Sequence, residues 1–372
     1  MAFVLLCACG GRKSSGGGTR GAFGANGISL RHAALLRMEE SDSFTSVTVR
    51  DPWSRDTSAV FAAYVLVERG RPVPSHRPAG TVLRVPLQRA VVTTAVHAAL
   101  LDELGALPRV AGVTDAEYIV SPALRAKVSS GALPSLGSAY RPDVERLRAA
   151  NADAILVSPM QNSGTGALGA LGVPLVQCAD YLETSPLGRA EWMRFYGRLF
   201  GCAGRADSLF TEVERAYGAA KREAAAARRG GKVPVVLCDL KTSAVWYQPA
   251  GASTMGRLLA DAGAAHPWSG TRESGSLALD METVYAKASN ADVWLVKYAA
   301  AAPLTYAAMA CDCPQYKLFR PWRERRVWGC NTLRTPFYEE VPFHPDRLLR
   351  EWVAIFGGKN VPMRYYRPLG ES

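Results

Sequence analysis

Two segments that lie far apart in the chain follow the same plan. PDVERLRAANADAILV (142–157) and DMETVYAKASNADVWLV (280–296) each combine a helical pattern that has a glutamate near its start, an aspartate, and an apolar run of strand length. From Val82 onward, short β-branched runs alternate with helical patterns around both segments. This alternation is typical of βαβ units and a mainly parallel sheet. The sequence therefore predicts an α/β fold with two matched βα lobes.

A long helical tract separates the two copies of this plan. It begins near Ser185-Pro186, and after GCAG (201–204) its second part carries an apolar stripe at helical spacing. The stripe consists of Leu209, Phe210, Val213, Tyr217 and Ala220. Polar residues on the other faces favour a helix that bridges two lobes. The predicted organisation is an N-terminal lobe at 28–203, a connecting helix at 204–229, and a C-terminal lobe at 230–372, with a ligand cleft between the lobes.

The N-terminal residues 1–27 resemble an export signal and a tether rather than part of a folded domain. A short apolar run leads into Leu6-Cys7-Ala8-Cys9, the pattern of a lipobox, and a Gly/Ser/Arg-rich stretch follows as a flexible tether. We expect lipidation at Cys9 and a lipid-anchored protein. No positive charge precedes the apolar run, so a start codon assigned too late or an ordinary disordered N-terminus stays an alternative. Strands are expected at 45–50 and 60–67.

The amino-acid composition limits the kinds of molecule that this protein is expected to bind. The 372 residues suggest two domains, and the formal net charge of +11 favours an anionic partner or a solvated basic surface. No long Lys/Arg run is present, so nucleic-acid binding is not expected. The eight cysteines form no C-x-x-C pair, and one disulfide among Cys311, Cys313 and Cys330 is an option for an exported protein. No segment after the N-terminus has the length of a membrane-spanning apolar run.

The glycines Gly164, Gly166 and Gly169 spell G-x-G-x-x-G, the motif of dinucleotide-binding turns. In such turns the first glycine directly follows the strand and the last one opens a full helix. Here the preceding strand ends near Val157, and only one helical turn fits before the next strand. The pattern instead predicts a mobile polar loop at the carboxyl edge of a sheet, where α/β proteins bind ligands.

The chain carries no recognisable catalytic or metal-binding motif. The five histidines are scattered, and His97 with His344 is the one pair that we consider for a metal site between the lobes. Unrelated polar or capping roles explain these histidines better. A nucleophile elbow and a P-loop are both absent from the sequence. We therefore predict neither an enzyme, nor a cofactor, nor a metal site.

Aromatic and polar residues recur in the predicted loops between elements. Such residues are typical of a small-molecule cleft, although each alone is more often a packing residue. The candidate ligand-binding residues are Thr94, Tyr118, Gln161, Asn162, Tyr181, Trp246, Tyr298, Asn331, Arg334 and Tyr338. We expect the ligand to lie mainly against Tyr118, Trp246 and Tyr338.

Together these parts resemble the periplasmic substrate-binding proteins of ABC importers for ferric siderophores, heme and vitamin B12. The resemblance covers about residues 82–356. Its specific stretches are VAGVTDAEYI, RPDVERLRAANADAILVS, DLKTSAVWYQPAGASTMGRLLADAGA and METVYAKASNADVWLV. CADYLETSPLGRAEWMRFYGRLFG and TPFYEEVPFHPDRLLREWVAIF are similar in detail to the Bacteroidetes-type branch.

The resemblance implies a monomeric, periplasmic, lipid-anchored protein that captures a metal chelate and delivers it to an ABC permease. A ferric siderophore and cobalamin are the leading chelates, and heme is a further candidate. Glu145 and Glu282 match the glutamates, one on each lobe, that pair with permease arginines in this family. Glu282 stands ten residues before Asp292, two more than is usual. The alternatives are a direct metal-ion receptor on the same fold and an NAD-binding oxidoreductase that uses the Gly164 motif.

Overall fold

The computed structural model describes residues 26–139, 141, 143–161, 166–228, 231–242, 245–359 and 361–371. These residues form three sheets. The first sheet has its strands in chain order, antiparallel except for the parallel β4–β5 pair. Its strands are β1 (Asn26–Gly27), β2 (Leu36–Glu40), β3 (Thr45–Arg50), β4 (Val60–Glu68) and β5 (Thr81–Val85).

The second sheet is wholly parallel and has the strand order β7-β6-β8-β9. Its strands are β6 (Ala90–Val92), β7 (Val110–Val113), β8 (Ala154–Val157) and β9 (Leu175–Gln177). The helices around it are α1 (Ala95–Glu103), α2 (Pro122–Ser129), α3 (Val144–Ala149) and the single turn α4 (Gly166–Gly169). Short 3-10 turns occupy Leu107–Arg109, Ala116–Tyr118 and Ala179–Leu182. These elements form the N-terminal lobe together with the first sheet.

A helical tract leads from this lobe into the second half of the chain. It consists of α5 (Pro186–Glu191), α6 (Met193–Leu199) and α7 (Ala203–Arg228). Ser185 caps α5 through its side chain, and Pro186 occupies the first turn as the sequence predicts. The 26 residues of α7 span about 39 Å at the usual rise per residue. The long connecting helix is confirmed.

The third sheet has the strand order β12-β11-β10-β13-β14-β15, with a parallel centre formed by β10, β13 and β14. Its strands are β10 (Val236–Thr242), β11 (Val245–Pro249), β12 (Ser276–Leu279), β13 (Val293–Tyr298), β14 (Val327–Asn331) and β15 (Arg367–Pro368). The helices of this C-terminal lobe are α8 (Thr254–Asp261), α9 (Met281–Ala288), α10 (Tyr306–Asp312), α11 (Arg320–Arg323), α12 (Phe337–Glu340) and α13 (Pro345–Phe356), with a 3-10 turn at Pro314–Leu318.

One face of helix α7 packs into the cores of both lobes. Phe210 and Val213 pack into the core of the N-terminal lobe, whereas Tyr217, Ala220 and Ala224 pack into the core of the C-terminal lobe. The first residues of the apolar stripe therefore pack into one core, and its later residues pack into the other. A residue of the C-terminal lobe also connects the two lobes. Phe343 is buried in the core of the N-terminal lobe, and its ring centroid lies 5.9 Å from that of Tyr196.

The first sheet is the main departure from the predicted organisation. The strands expected at 45–50 and 60–67 are present as β3 and β4. The stretch from Val82 was expected to start the parallel sheet of the lobe, but β5 pairs with β4, and only β6 joins the parallel sheet. Local periodicity identifies a strand, whereas its pairing partner is set by the tertiary fold.

Candidate functional site

The two lobes meet at the carboxyl ends of their parallel strands. The backbone N–H groups of Val120 and Ser121, in the loop after β7, donate hydrogen bonds of 2.5 and 2.9 Å to the carboxylate of Glu339 in α12. Helix α12 follows β14 in the other lobe. Since parallel strands end at one edge of a sheet, the carboxyl edges of both lobes face each other. We call the space between them the interlobe cleft; ligands of α/β proteins bind at such edges.

Large apolar side chains are exposed in the loops that border this cleft. Tyr118 is 69% exposed and Tyr338 is 48% exposed, and both lie within two residues of the hydrogen bonds between the lobes. The others in loops after parallel strands are Met160, Tyr181 and Leu333. Exposed apolar side chains that cluster at one place mark a binding surface. Tyr118 and Tyr338 belong to opposite lobes, and each is close in the chain to the residues of this contact.

Several predicted ligand residues have side chains that are engaged within their own lobe. The hydroxyl of Thr94 caps α1 and lies 2.6 Å from Nδ1 of His97. The Tyr298 hydroxyl accepts from the Leu304 N–H at 2.9 Å, and the Asn331 amide donates to the Ala300 carbonyl at 2.8 Å. These three side chains shape the loops at the cleft.

The remaining predicted ligand residues are more accessible. The Tyr181 hydroxyl donates to the Pro159 carbonyl, and its ring stays partly exposed. Gln161 is exposed, and Asn162 lies outside the described residues. The Arg334 guanidinium donates to the Ala301 carbonyl at 2.9 Å and remains exposed at the cleft.

Trp246 does not line the cleft, and its prediction as a ligand residue is wrong. It is 1% exposed and stacks on Trp294 and Phe319, at ring-centroid distances of 5.5 and 5.7 Å. Successive residues of a strand point to opposite faces, so its neighbour Tyr247 points outward and is 38% exposed. The sequence analysis placed Trp246 in a loop, whereas this residue belongs to β11.

Two cations at the cleft were missed by the sequence analysis. Lys297, at the end of β13, and Arg189, in α5, line a pocket of about 150 Å³ that also includes Tyr338. The Lys297 ammonium lies 5.5 Å from the ring centroid of Phe337, and no ion pair of Lys297 is found among the residues that the structure describes. Arg189 pairs with buried Asp180 at 3.1 Å. A lysine that ends the apolar run VWLV was the available signal.

The histidines considered for a metal site face different carboxylates. Nε2 of His97 lies 2.9 Å from the Asp180 carboxylate, and Nε2 of His344 lies 2.6 Å from Glu103. Burial lowers the pKa of His97, but neighbouring Cys178 and Asp180 outweigh burial and raise it to about 10. Within the described ranges, no group of three metal-binding side chains occurs.

The glycine motif forms no dinucleotide site in the part that is described. Gly166 and Gly169 bound the four residues of α4, and Gly164 lies outside the described residues. A single turn cannot present the helix N-terminus that a pyrophosphate requires. The NAD-binding alternative is therefore not supported.

The two predicted docking glutamates have matching environments. Glu145 and Glu282 are both exposed and lie in the first turns of α3 and α9. Asp143 caps α3 by accepting from the Arg146 N–H at 3.1 Å, and Asp280 caps α9 in the same way. Each helix runs into a strand that ends at the cleft, so each helix begins on the cleft side of its lobe.

The aspartates that follow these helices also correspond. Asp153 accepts from the Gln88 N–H just before β6, and Asp292 accepts from the Val235 N–H just before β10, both at 2.8 Å. Each aspartate thus ties the start of its own strand to the neighbouring parallel strand. The repeated plan of the sequence is a repeated structure.

Two α/β lobes that hold a cleft between them on one long helix define a solute-binding protein rather than an enzyme. The chain belongs to the periplasmic binding protein family, whose model matches residues 90–303. A related sequence is an uncharacterized lipoprotein of Methanocaldococcus jannaschii, 23% identical over 314 residues, which are 79% of this chain and 73% of that protein. In the described part of the chain, no helix is long and apolar enough to cross a membrane.

Solved structures share the fold. The crystal structure of an ABC-type Fe3+-hydroxamate transport system from Saccharomonospora viridis is 19% identical, with a TM-score of 0.57 over 73% of this chain and 94% of that one. A periplasmic heme-binding protein from Pseudomonas aeruginosa is 17% identical, with a TM-score of 0.58 over 75% and 97%. Staphylococcus aureus IsdE in complex with heme is 17% identical, with a TM-score of 0.55 over 72% and 98%.

Proposed function

We propose that this protein is the substrate-binding component of an ABC importer, which captures an anionic metal chelate in the interlobe cleft and delivers it to a membrane permease. The observation that carries the proposal is the set of exposed aromatic and apolar side chains on both lobes around one contact. Tyr118 and Tyr338 offer flat apolar faces, which suit the large surface of a chelate. The fold neighbours named for Fe3+-hydroxamate and heme support this class of ligand.

The charge of the cleft favours a ligand with anionic groups. Lys297 lines the pocket that includes Tyr338, and Arg334 is exposed in the loop after β14. Arg189 adds a third cation, although Asp180 already neutralises part of its charge. Carboxylate or hydroxamate oxygens of a chelate would accept hydrogen bonds from the Lys297 ammonium. Such hydrogen bonds are strong because the donor is charged.

The ligand is identified by titration of the purified protein with a ferric hydroxamate, hemin, cyanocobalamin and NADH, followed by tryptophan quenching. We expect one of the three chelates to bind with a micromolar or lower Kd and NADH not to bind. Free Fe3+ or Zn2+ that bound more tightly than every chelate would instead indicate a metal-ion receptor. If no chelate binds, the proposal is wrong.

Paired variants test where the ligand lies. Tyr118→Ala and Tyr338→Ala should each weaken binding about tenfold, which is typical of the loss of an aromatic anchor. Tyr285→Ala is the matched control, because Tyr285 is a half-exposed tyrosine on α9 that packs against Phe319 outside the cleft. An equal loss in the control would place the ligand elsewhere.

Delivery to the permease is tested at the two docking glutamates. Changing Glu145 and Glu282 to arginine should abolish uptake in cells, while the ligand affinity of the purified protein stays within about twofold, because rim charges act mainly in recognition. The control changes Glu212 and Glu223, exposed on α7, to arginine and alters the net charge equally. Uptake that survives the first pair of changes would remove the docking role.

In this proposal the protein acts in the periplasm as a monomer anchored through lipidated Cys9.

A further inference from the structure

The first sheet carries a pocket of its own. Its five strands end before residue 90, where the family match begins. The pocket has a volume of about 730 Å³ and is formed by β2, β3 and β4 together with residues 57–60 and 77–79. Pockets that hold small molecules usually have volumes of about 300–1,000 Å³. The pocket therefore has the size of a ligand site.

The lining of this pocket is basic. Arg37, Arg50 and Arg77 contribute three guanidinium groups, and Glu39 is the one acid among the lining residues that the structure describes. Arg37 pairs with Glu39 at 2.7 Å on the solvent side of the sheet. The lining residues alone carry an excess of two positive charges, which favours an anionic occupant, and the Glu183 carboxylate beside Arg50 offsets part of this excess.

Arg50 is a partly buried residue of the pocket lining. Its Nε is buried, and no partner for this atom is found among the residues that the structure describes. The neighbouring Glu183 carboxylate accepts instead from the N–H groups of Ala34 and Leu35 and from the indole of Trp192. Because Nε is closed off from the solvent, an occupant cannot reach this atom. An oxyanion in the pocket would instead accept from the terminal nitrogens of Arg50, for which no hydrogen bond is found in the described part of the chain either.

Hydroxyl and apolar groups complete the lining. Thr48 lies directly opposite Arg37 in the antiparallel pair β2–β3, so both side chains are on the pocket face of the sheet. Ser46 lies two residues away on the same face. Phe44 and Val60 border the pocket with apolar surface. The pocket thus combines donors for an oxyanion with a surface for an organic body.

We propose that this pocket binds a phosphate monoester, with the phosphoryl group held by Arg37, Arg50 and Arg77 and the organic body against Phe44 and Val60. A phosphate monoester carries a charge between about −1.5 and −2 at pH 7, which matches the excess charge of the lining. One arginine guanidinium can also donate two parallel hydrogen bonds to two oxygens of the same phosphate group. The ester is either a soluble metabolite or the headgroup of an anionic lipid. This inference is independent of the proposed transport function.

The test uses the full chain in calorimetry with phenyl phosphate and with inorganic phosphate, and in co-sedimentation with vesicles of phosphatidic acid or of phosphatidylcholine alone. We expect phenyl phosphate to bind at least tenfold more tightly than inorganic phosphate. Arg50→Gln and the more exposed Arg37→Gln should each weaken binding at least tenfold. Arg71→Gln is the matched control, because Arg71 pairs with Glu68 outside the pocket lining.

Each outcome decides the proposal. Binding of phenyl phosphate alone identifies a soluble ester, and binding of phosphatidic acid vesicles alone identifies a lipid headgroup. Absence of both interactions overturns the proposal. Equal losses in Arg71→Gln and Arg50→Gln also overturn it, because they show unspecific charge attraction. Equal affinities for phenyl phosphate and inorganic phosphate overturn the role of the apolar surface.

Discussion

Replacing Trp246 with alanine should destabilise the protein and leave the ligand affinity unchanged. The indole is 1% exposed and lies between 5.5 and 5.7 Å, by ring centroids, from Trp294, Tyr316 and Phe319. Truncating a buried tryptophan costs about 3–5 kcal/mol of the free energy of unfolding, and the three aromatic neighbours place this site in the upper part of that range. We expect a loss of about 4 kcal/mol.

The measurement is urea unfolding of the native protein, Trp246→Ala and Tyr247→Ala, combined with ligand titration of each. Tyr247 is the next residue on the same strand and is 38% exposed, so its truncation should cost about 1 kcal/mol or less. The affinity of Trp246→Ala for ligand should stay within about twofold. A tenfold loss of affinity with an unfolding free energy within about 1 kcal/mol of the native value would refute the inward orientation of Trp246.

Three further predictions concern the cleft, the interlobe contact and the anchor. Lys297→Met should weaken binding of an anionic chelate about tenfold and should reduce its salt dependence, measured by titration at two salt concentrations. Burial raises the pKa of Glu103, but His344 and Arg347 outweigh burial and hold the pKa of this carboxyl below its usual value. Its contribution, about 1 kcal/mol at a partly exposed site, is therefore present above about pH 4.3 and lost at lower pH, where native protein and Glu103→Gln should become equally stable. Cys9→Ser should move the protein from the membrane fraction to the soluble fraction.

The parts of the fold that the sequence predicted are those encoded by local period. The stripe from Leu209 to Ala220 fixes a helix, and the runs at 154–157 and 293–298 fix strands, because side-chain spacing repeats within each element. The match between Glu145 and Glu282 followed from the same repeated plan. Their exposure is now visible, and their docking role remains a proposal.

The parts that could not be predicted depend on contacts between distant residues. Which of Trp246 and Tyr247 points inward is set by the pairing of β11 with its neighbouring strands, and a single strand does not contain that information. Arg189 and Lys297 belong to different lobes, and only the arrangement of the lobes brings them to one pocket. The pairing of β5 with β4 likewise depends on the tertiary fold and could not be predicted from the sequence of β5 alone.

The helix α7 has a consequence for how the protein unfolds. Consecutive turns of this helix complete the core of one lobe and then the core of the other, and Phe343 returns from the second lobe to fill the first. Neither lobe can lose its structure without exposing apolar surface that belongs to its neighbour. The two lobes are therefore one cooperative unit, and heat or denaturant should melt them in a single transition. Cutting the chain after α7 would leave an N-terminal fragment with a hole at the place of Phe343.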